Sequence, residues 1–247
     1  MIGRPNVSAE EIGTLIEKDQ VLSAKVLRLA NSPFYGFPSR IASVAHAVVV
    51  LGLNVVKGLT LCATAFDMMR NAGMNELWRH SLGVAMTAHI LGTKAAMKNP
   101  EEVFVAGLLH DIGKVVLYVK WPDVGQQITT VTRNTSRPLM DTEQELFEVT
   151  HADVGGWLAS AWHLPTSLRE PILHHHTPAA AQDAKLQTAI VHVADVLVKG
   201  LACGNPGDDL VPPLSRQAWD LVGLDAQSLA HCLTQATEEF QTIDDYL

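Results

Sequence analysis

The stretch Leu108-Leu-His-Asp-Ile-Gly-Lys114 decides how the rest of the chain is read. A histidine and an aspartate stand side by side in an apolar run. Burying an imidazole and a carboxylate costs free energy unless each finds a partner. The chain supplies more groups of the same kind: His80 upstream, then His151, the triplet His174-His175-His176, and Asp195. Both group types are ligands for divalent first-row metals, and a buried ion needs several of them converging from different elements. The ordered set points to a metal-centred hydrolase site, or the remains of one.

The elements around that stretch read as helices. Ala and Leu are abundant, β-branched alternation is weak, and aromatics are only 6% against 47% hydrophobic residues overall. Working back toward the start, Asn99-Pro100-Glu-Glu102 reads as the opening of the helix that carries His110 and Asp111. A helix from about 75 to 96 carries His80, and Asn71-Ala-Gly73 is a joint before it. The earlier section reads as short helices. Ser8-Ala-Glu-Glu11 is a capping box, Val21 to Leu29 is a helix stopped before Pro33, and Phe34 to Pro38 is a loop. Ser39 is expected to cap a helix carrying Ile41, Val44, Val48 and Leu51. Gly52 breaks that helix, and another runs from Val55 to about Arg70. Downstream, Trp121 to Asn134 reads as helical, Thr142-Glu-Gln-Glu145 as a capping box, and His151 to Trp162 as a helix. Further helices are expected from about Ser167 into the triplet, from Leu186 to Leu201 with Asp195, and near Ala226 to Ile243. The fold class is all-α.

Composition excludes several functions. The formal net charge of −8 argues against non-specific binding to DNA or to an anionic membrane. The most apolar stretch, Ala45 to Phe66, is interrupted by Asn54, Lys57 and two glycines, so it reads as two core helices and not as a membrane span. Cys62, Cys203 and Cys232 are scattered and odd in number, which fits neither a disulfide framework nor a zinc site. No apolar signal segment opens the chain. These readings point to a cytoplasmic protein.

The chain resembles bacterial HDOD proteins, a subgroup related to the HD superfamily. Val26-Leu-Arg-Leu-Ala-Asn-Ser-Pro-Phe-Tyr-Gly36 and Ala47-Val-Val-Val-Leu-Gly-Leu53 are similar to the first half of that family. Leu108 to Lys114, His151-Ala-Asp-Val-Gly155 and Ile172-Leu-His-His-His-Thr-Pro178 are similar to its second half. The resemblance implies a multi-helix HD-like bundle preceded by a smaller helical HDOD subdomain. The corresponding boundaries are 1–72 for the HDOD subdomain, 73–203 for the HD-like metal-site domain, and 204–247 for a loop and C-terminal helical tail. Family members usually begin with a further helix, so the resemblance leaves two expectations: Met1 is an internal or misassigned start, or the sequence is trimmed ahead of it.

HDOD proteins often lack several superfamily ligands and are then regarded as non-catalytic signalling modules. By resemblance to HD phosphohydrolases, His80, His110, Asp111 and Asp195 match the positions holding one metal. By resemblance to the HD-GYP branch, which cleaves cyclic di-GMP, His151, His175 and His176 match those holding a second. Glu76 matches an extra carboxylate found in some members. No Gly-Tyr-Pro motif follows the histidine pair, which argues against cyclic di-GMP as substrate.

The residue types also make sense by themselves. Asp111 has two oxygens and can bridge two metals about 3.5–4 Å apart. Lys114, one helical turn later, can stabilise charge developing on a phosphate, so Asp111 and Lys114 are the catalytic candidates. One or two divalent ions are implied, and mixed histidine and carboxylate ligation suits Fe, Mn, Ni or Zn. His46, His89, His163 and His231 are read as satisfied core histidines, His174 as a surface residue, and His192 as structural. Two functions remain open. One is an HDOD signal-transduction or regulatory module with a retained metal site, acting through a signalling partner or a homodimer. The other is an active metal-dependent phosphohydrolase, a phosphodiesterase acting on a nucleotide or cyclic dinucleotide.

Overall fold

Residues 13, 15–32 and 39–241 of the chain are described by a computed structural model. Among them are thirteen α-helices and no strands. The capping box at Ser8, the loop from Phe34 to Pro38 and the chain end after Gln241 lie outside the described residues.

The first section contains α1 (Gln20–Ala30), α2 (Val44–Leu51) and α3 (Leu53–Asn71). The Asp19 carboxylate accepts from the N–H groups of Val21 and Leu22 at 3.0 Å and starts α1. α2 is capped by Ser43, not by the expected Ser39: its side chain accepts from the His46 N–H. Ser43 is the hydroxyl that directly precedes the apolar turn beginning at Val44. Gly52 breaks the chain between α2 and α3 with φ of 85°. Both α1 and α2 pack on α3, which in turn packs on the second section.

The second section opens with α4 (Asn75–Lys94) and α5 (Pro100–Leu109). α4 is buried on nearly every side, because α5, α11 and α13 all pack against it. Gly107 lets α4 and α5 meet backbone to backbone. A Cβ there would lie 2.7 Å from the Ala85 Cα. The short α6 (Ile112–Lys120) follows, then α7 (Pro122–Thr135), α8 (Leu139–Phe147), α9 (His151–Ala161) and α10 (Thr166–His174). α11 (Lys185–Gly200) returns through the centre against α4, α5 and α10. The last two, α12 (Arg216–Val222) and α13 (Ala226–Phe240), pack on α11 and α4 respectively. One apolar core runs through all of this, from Val26 and Val56 to Val191 and Ala236.

Two further expectations are corrected. His110 and Asp111 do not sit within one helix: α5 ends at Leu109 and α6 starts at Ile112. Thr142 does not cap a helix but lies inside α8, its hydroxyl donating to the Pro138 carbonyl. α12 was not anticipated from sequence, because it is short and follows the loop containing Pro212 and Pro213. Cys62, Cys203 and Cys232 are free and buried. No helix among the described residues is long and apolar enough to cross a membrane.

Candidate metal centre

The break after Leu109 is the local device that builds the site. His110 is still helical, with φ −54° and ψ −37°, and the chain turns at Asp111, with φ −96° and ψ 13°, which sets the direction in which α6 leaves. Gly113 then brings α6 against α9 so closely that a Cβ would lie 1.9 Å from the His151 carbonyl oxygen. That approach carries Asp111 to His151, with Oδ1 to Nε2 at 3.2 Å. A true capping box formed by Thr150 and Asp153 fixes the start of α9, so His151 is its first residue.

Asp111 is the hub. Its Oδ2 lies 3.4 Å from His110 Nε2 and 3.9 Å from His80 Nε2, and its Oδ1 lies 3.8 Å from His175 Nε2. Asp195 Oδ1, from α11, lies 3.0 Å from His80 Nε2 and 3.9 Å from His110 Nε2. His176 Nε2 comes within 3.0 Å of His151 Nε2. Three clusters of donor atoms converge within 4.8 Å: His80, His110 and Asp195; His110, Asp111 and His175; and His151, His175 and His176.

The ring orientations select which nitrogen is offered. His110 Nδ1 faces the Gly107 carbonyl at 2.7 Å, and His175 Nδ1 faces the Ile172 carbonyl at 2.9 Å. A carbonyl only accepts, so each Nδ1 carries the proton and each Nε2 lone pair points inward. Glu143 does the same for His151, its Oε2 lying 2.6 Å from Nδ1 and 2.8 Å from the backbone N–H. Atoms aimed at the centre are left without hydrogen bonds: Nε2 of His80, of His110 and of His175, Oδ1 of Asp111 and Oδ1 of Asp195. The 3.0 Å approach of His80 to Asp195 is misaligned for a hydrogen bond. Buried polar atoms are nearly always paired, so five unpaired ones around one point mark a candidate cation site. The donor set of nitrogens and carboxylate oxygens fits a divalent first-row ion.

A family model described as the HDOD domain matches residues 1–178. The chain belongs to the HDOD family. An HDOD domain protein of Geobacter sulfurreducens, of unknown function, is 28% identical with a TM-score of 0.76, and covers 100% of this chain and 89% of its own. A Shewanella amazonensis SB2B protein provisionally named a phosphohydrolase is 23% identical with a TM-score of 0.66, over 95% and 85% of the two chains, and shares the fold. An uncharacterised protein of Treponema pallidum (strain Nichols) is 26% identical over 215 residues, which is 85% of this chain. This chain spans 42% of that relative's length.

In this HDOD protein, burial and ion pairing set the charge states of the donor groups. Burial pushes the His175 and His176 pKa values well below the ordinary range, and neighbouring histidines add to that. Burial likewise lowers His80, although Asp195 opposes it. These rings are therefore neutral near pH 7, as ligands must be. Burial pushes Asp111 upward, but Lys114 and His110 outweigh it and hold the carboxyl well below its usual range. Asp195 is held down in the same way by His80. Lys114 donates to Asp111 Oδ2 at 2.8 Å, and that carboxylate keeps its ammonium charged against the cost of burial. Burial also lowers His151, but Glu143 more than offsets it.

Other sequence expectations fare differently. Glu76 is exposed and belongs to none of the three donor clusters. His46, His163 and His231 are exposed surface residues and not core histidines, and His89 is half-buried. His174 is half-buried beside the pair. His192 uses both nitrogens structurally: Nδ1 donates to the His175 carbonyl at 2.7 Å and Nε2 accepts from the Ser215 N–H at 3.0 Å. Glu143 was missed. Its sequence signal is a carboxylate eight residues before His151, hidden by the more obvious reading of Thr142 to Glu145 as a cap.

Proposed function

We propose that this HDOD protein is a signalling module built on a dinuclear divalent-metal centre, and that the centre hydrolyses a phosphoester. The observation that carries the reading is Asp111, whose two oxygens face two different donor groups. Oδ2 looks toward His80 and His110, while Oδ1 looks toward His151 and His175. A cavity of 420 Å³ reaches His151 and His176, with Lys114 and Lys199 on its wall. Structural metal sites are closed, whereas catalytic ones keep an open side.

When bound, a metal pair supplies Lewis-acid polarisation of a phosphoryl group. The chain's own residues do the rest. His80, His110 and Asp195 hold one side rigidly, because all three are buried. Glu143 fixes the His151 ring by accepting from Nδ1 and from the backbone N–H. Lys114 balances the Asp111 charge, and it lines the cavity beside His151 and His176, where an ammonium can meet a phosphate oxygen. The half-buried His176 borders the cavity together with His151.

A second reading is a regulatory module whose metal is structural or sensory. Complete burial of His80, His110 and Asp195 favours it for one of the two positions. The test is an assay of metal-reconstituted protein with bis-p-nitrophenyl phosphate and nucleotides, alongside Asp111→Ala. Turnover that disappears in the variant is the expected result. Tight metal binding with no turnover on any of these substrates would leave only the regulatory reading.

A further inference from the structure

Asp208 lies in the strap between α11 and α12, beyond the residues matched by the family model. Its side chain is 7% exposed. Oδ2 accepts from the Leu139 backbone N–H at 2.8 Å. Oδ1 accepts from Lys199 Nζ at 3.3 Å and from the Leu210 N–H at 3.2 Å. Leu139 is the first residue of α8, and the residue before it, Pro138, offers no side-chain cap. A helix start needs its free N–H groups satisfied, and a carboxylate there also meets the positive end of the helix. Asp208 therefore supplies from 69 residues away the cap that α8 lacks.

What α8 carries makes this consequential. Glu143 stands one turn inside it and holds His151 through both Nδ1 and the backbone N–H. Lys199 stands one turn after Asp195 on α11. Asp208 thus ties together the helix that aims His151 and the helix that presents Asp195. It also forms part of the wall between the 420 Å³ cavity and a neighbouring 570 Å³ cavity, lining both together with Lys114 and Leu210.

We infer that Asp208 is a positioning residue for the metal centre, acting through α8 and Glu143 on His151. The inference rests on the metal-centre reading above. It is tested on the full chain by titrating metal-free protein with Mn²⁺, and by following the imidazole N–H proton of His151 by NMR without metal. The ion assigned to His151 is the one weakened in His151→Ala. Asp208→Ala is expected to weaken that ion by up to the about 10- to 100-fold that losing Glu143, the outer partner of His151, would cost, while leaving the other in place. Adding Glu143→Gln to it should weaken binding no further than Glu143→Gln alone. The His151 N–H signal should be lost in Asp208→Ala and retained in Asp208→Asn, which keeps an acceptor for Leu139. Full Mn²⁺ affinity in Asp208→Ala, additive losses in the double variant, or an unchanged His151 signal in Asp208→Ala would overturn the inference. If Asp208→Ala does not fold, the signal is read in Asp208→Ser, whose hydroxyl is too short to reach the Leu139 N–H: loss supports the inference and retention overturns it. If wild-type protein binds no Mn²⁺, the metal reading fails, and the His151 signal still decides the role of Asp208.

Discussion

The two donor groups that share Asp111 are built differently. His80, His110 and Asp195 come from α4, the end of α5 and α11, the most buried elements of the fold, and none of the three side chains reaches solvent. His151, His175 and His176 come from the start of α9 and the segment after α10, and His176 is half-buried at the cavity. The closed group depends on its helices for position. Each group has one ring held by a backbone carbonyl, Gly107 behind His110 and Ile172 behind His175, but the open group adds a side-chain support, Glu143 behind His151. The difference teaches that rigidity and access are divided between the halves of one centre, with Asp111 joining them.

The largest effect is expected where both halves are broken together. Asp111→Ala removes the shared carboxylate and strands the Lys114 ammonium, which is 3% exposed. Losing one partner of a buried ion pair costs about 3–5 kcal/mol. Thermal and denaturant unfolding should show this loss, and elemental analysis should show no bound metal. Chelation comes next. An ion that binds only the folded chain stabilises it by about 2.7 kcal/mol at a hundredfold excess over its Kd. Unfolding curves with and without EDTA measure this, and metal release should be biphasic, with the open group emptying first.

Glu143→Gln separates the halves. It weakens the support of His151 and leaves α4 and α11 untouched, so one ion should lose about 10- to 100-fold in affinity and the other should not change. A metal titration monitored by calorimetry checks this. Glu170 probes the segment that links the halves. Its carboxylate accepts from the N–H groups of Gln182, Asp183 and Ala184 and so anchors the start of α11. Burial pushes this carboxyl up, but those N–H groups outweigh it and its pKa is lowered. With a folded pKa below the unfolded one, its contribution is full above the unfolded value and is lost as pH falls through the folded value. Glu170→Gln should cost about 1–1.5 kcal/mol near neutral pH, and less in acid where the wild type has lost the same term. Unfolding measured across that acid range reads it out. The smallest effect is expected for Glu76→Ala. Its side chain is exposed, so stability should move by less than about 0.5 kcal/mol, with metal content unchanged.

The helical architecture and the donor set were legible because they depend on local pattern and residue type. Histidine and aspartate in apolar helices carry their cost wherever they sit, so His80, His110, Asp111, His151, His175, His176 and Asp195 stand out before any fold is known. The supports were not legible, because their roles come from contacts distant in sequence. Glu143 resembles any first-turn helix acid until α8 folds back on α9. Asp208 reads as a loop residue until it reaches Leu139. The break at His110 was hidden by continuous apolar periodicity on both sides of it. His46, His163 and His231 reverse the lesson, since an apolar neighbourhood in sequence did not bring them into the core.

The most direct test of the two-part centre is metal stoichiometry. Purified chain is stripped with chelator, reconstituted with a defined divalent metal, and analysed beside His80→Ala and His151→Ala. The account predicts two ions per wild-type chain. It predicts one in His151→Ala, held by the closed group, and retention of only the open-group ion in His80→Ala. A wild-type chain that binds no metal, or one whose ions are lost equally in both variants, would contradict it.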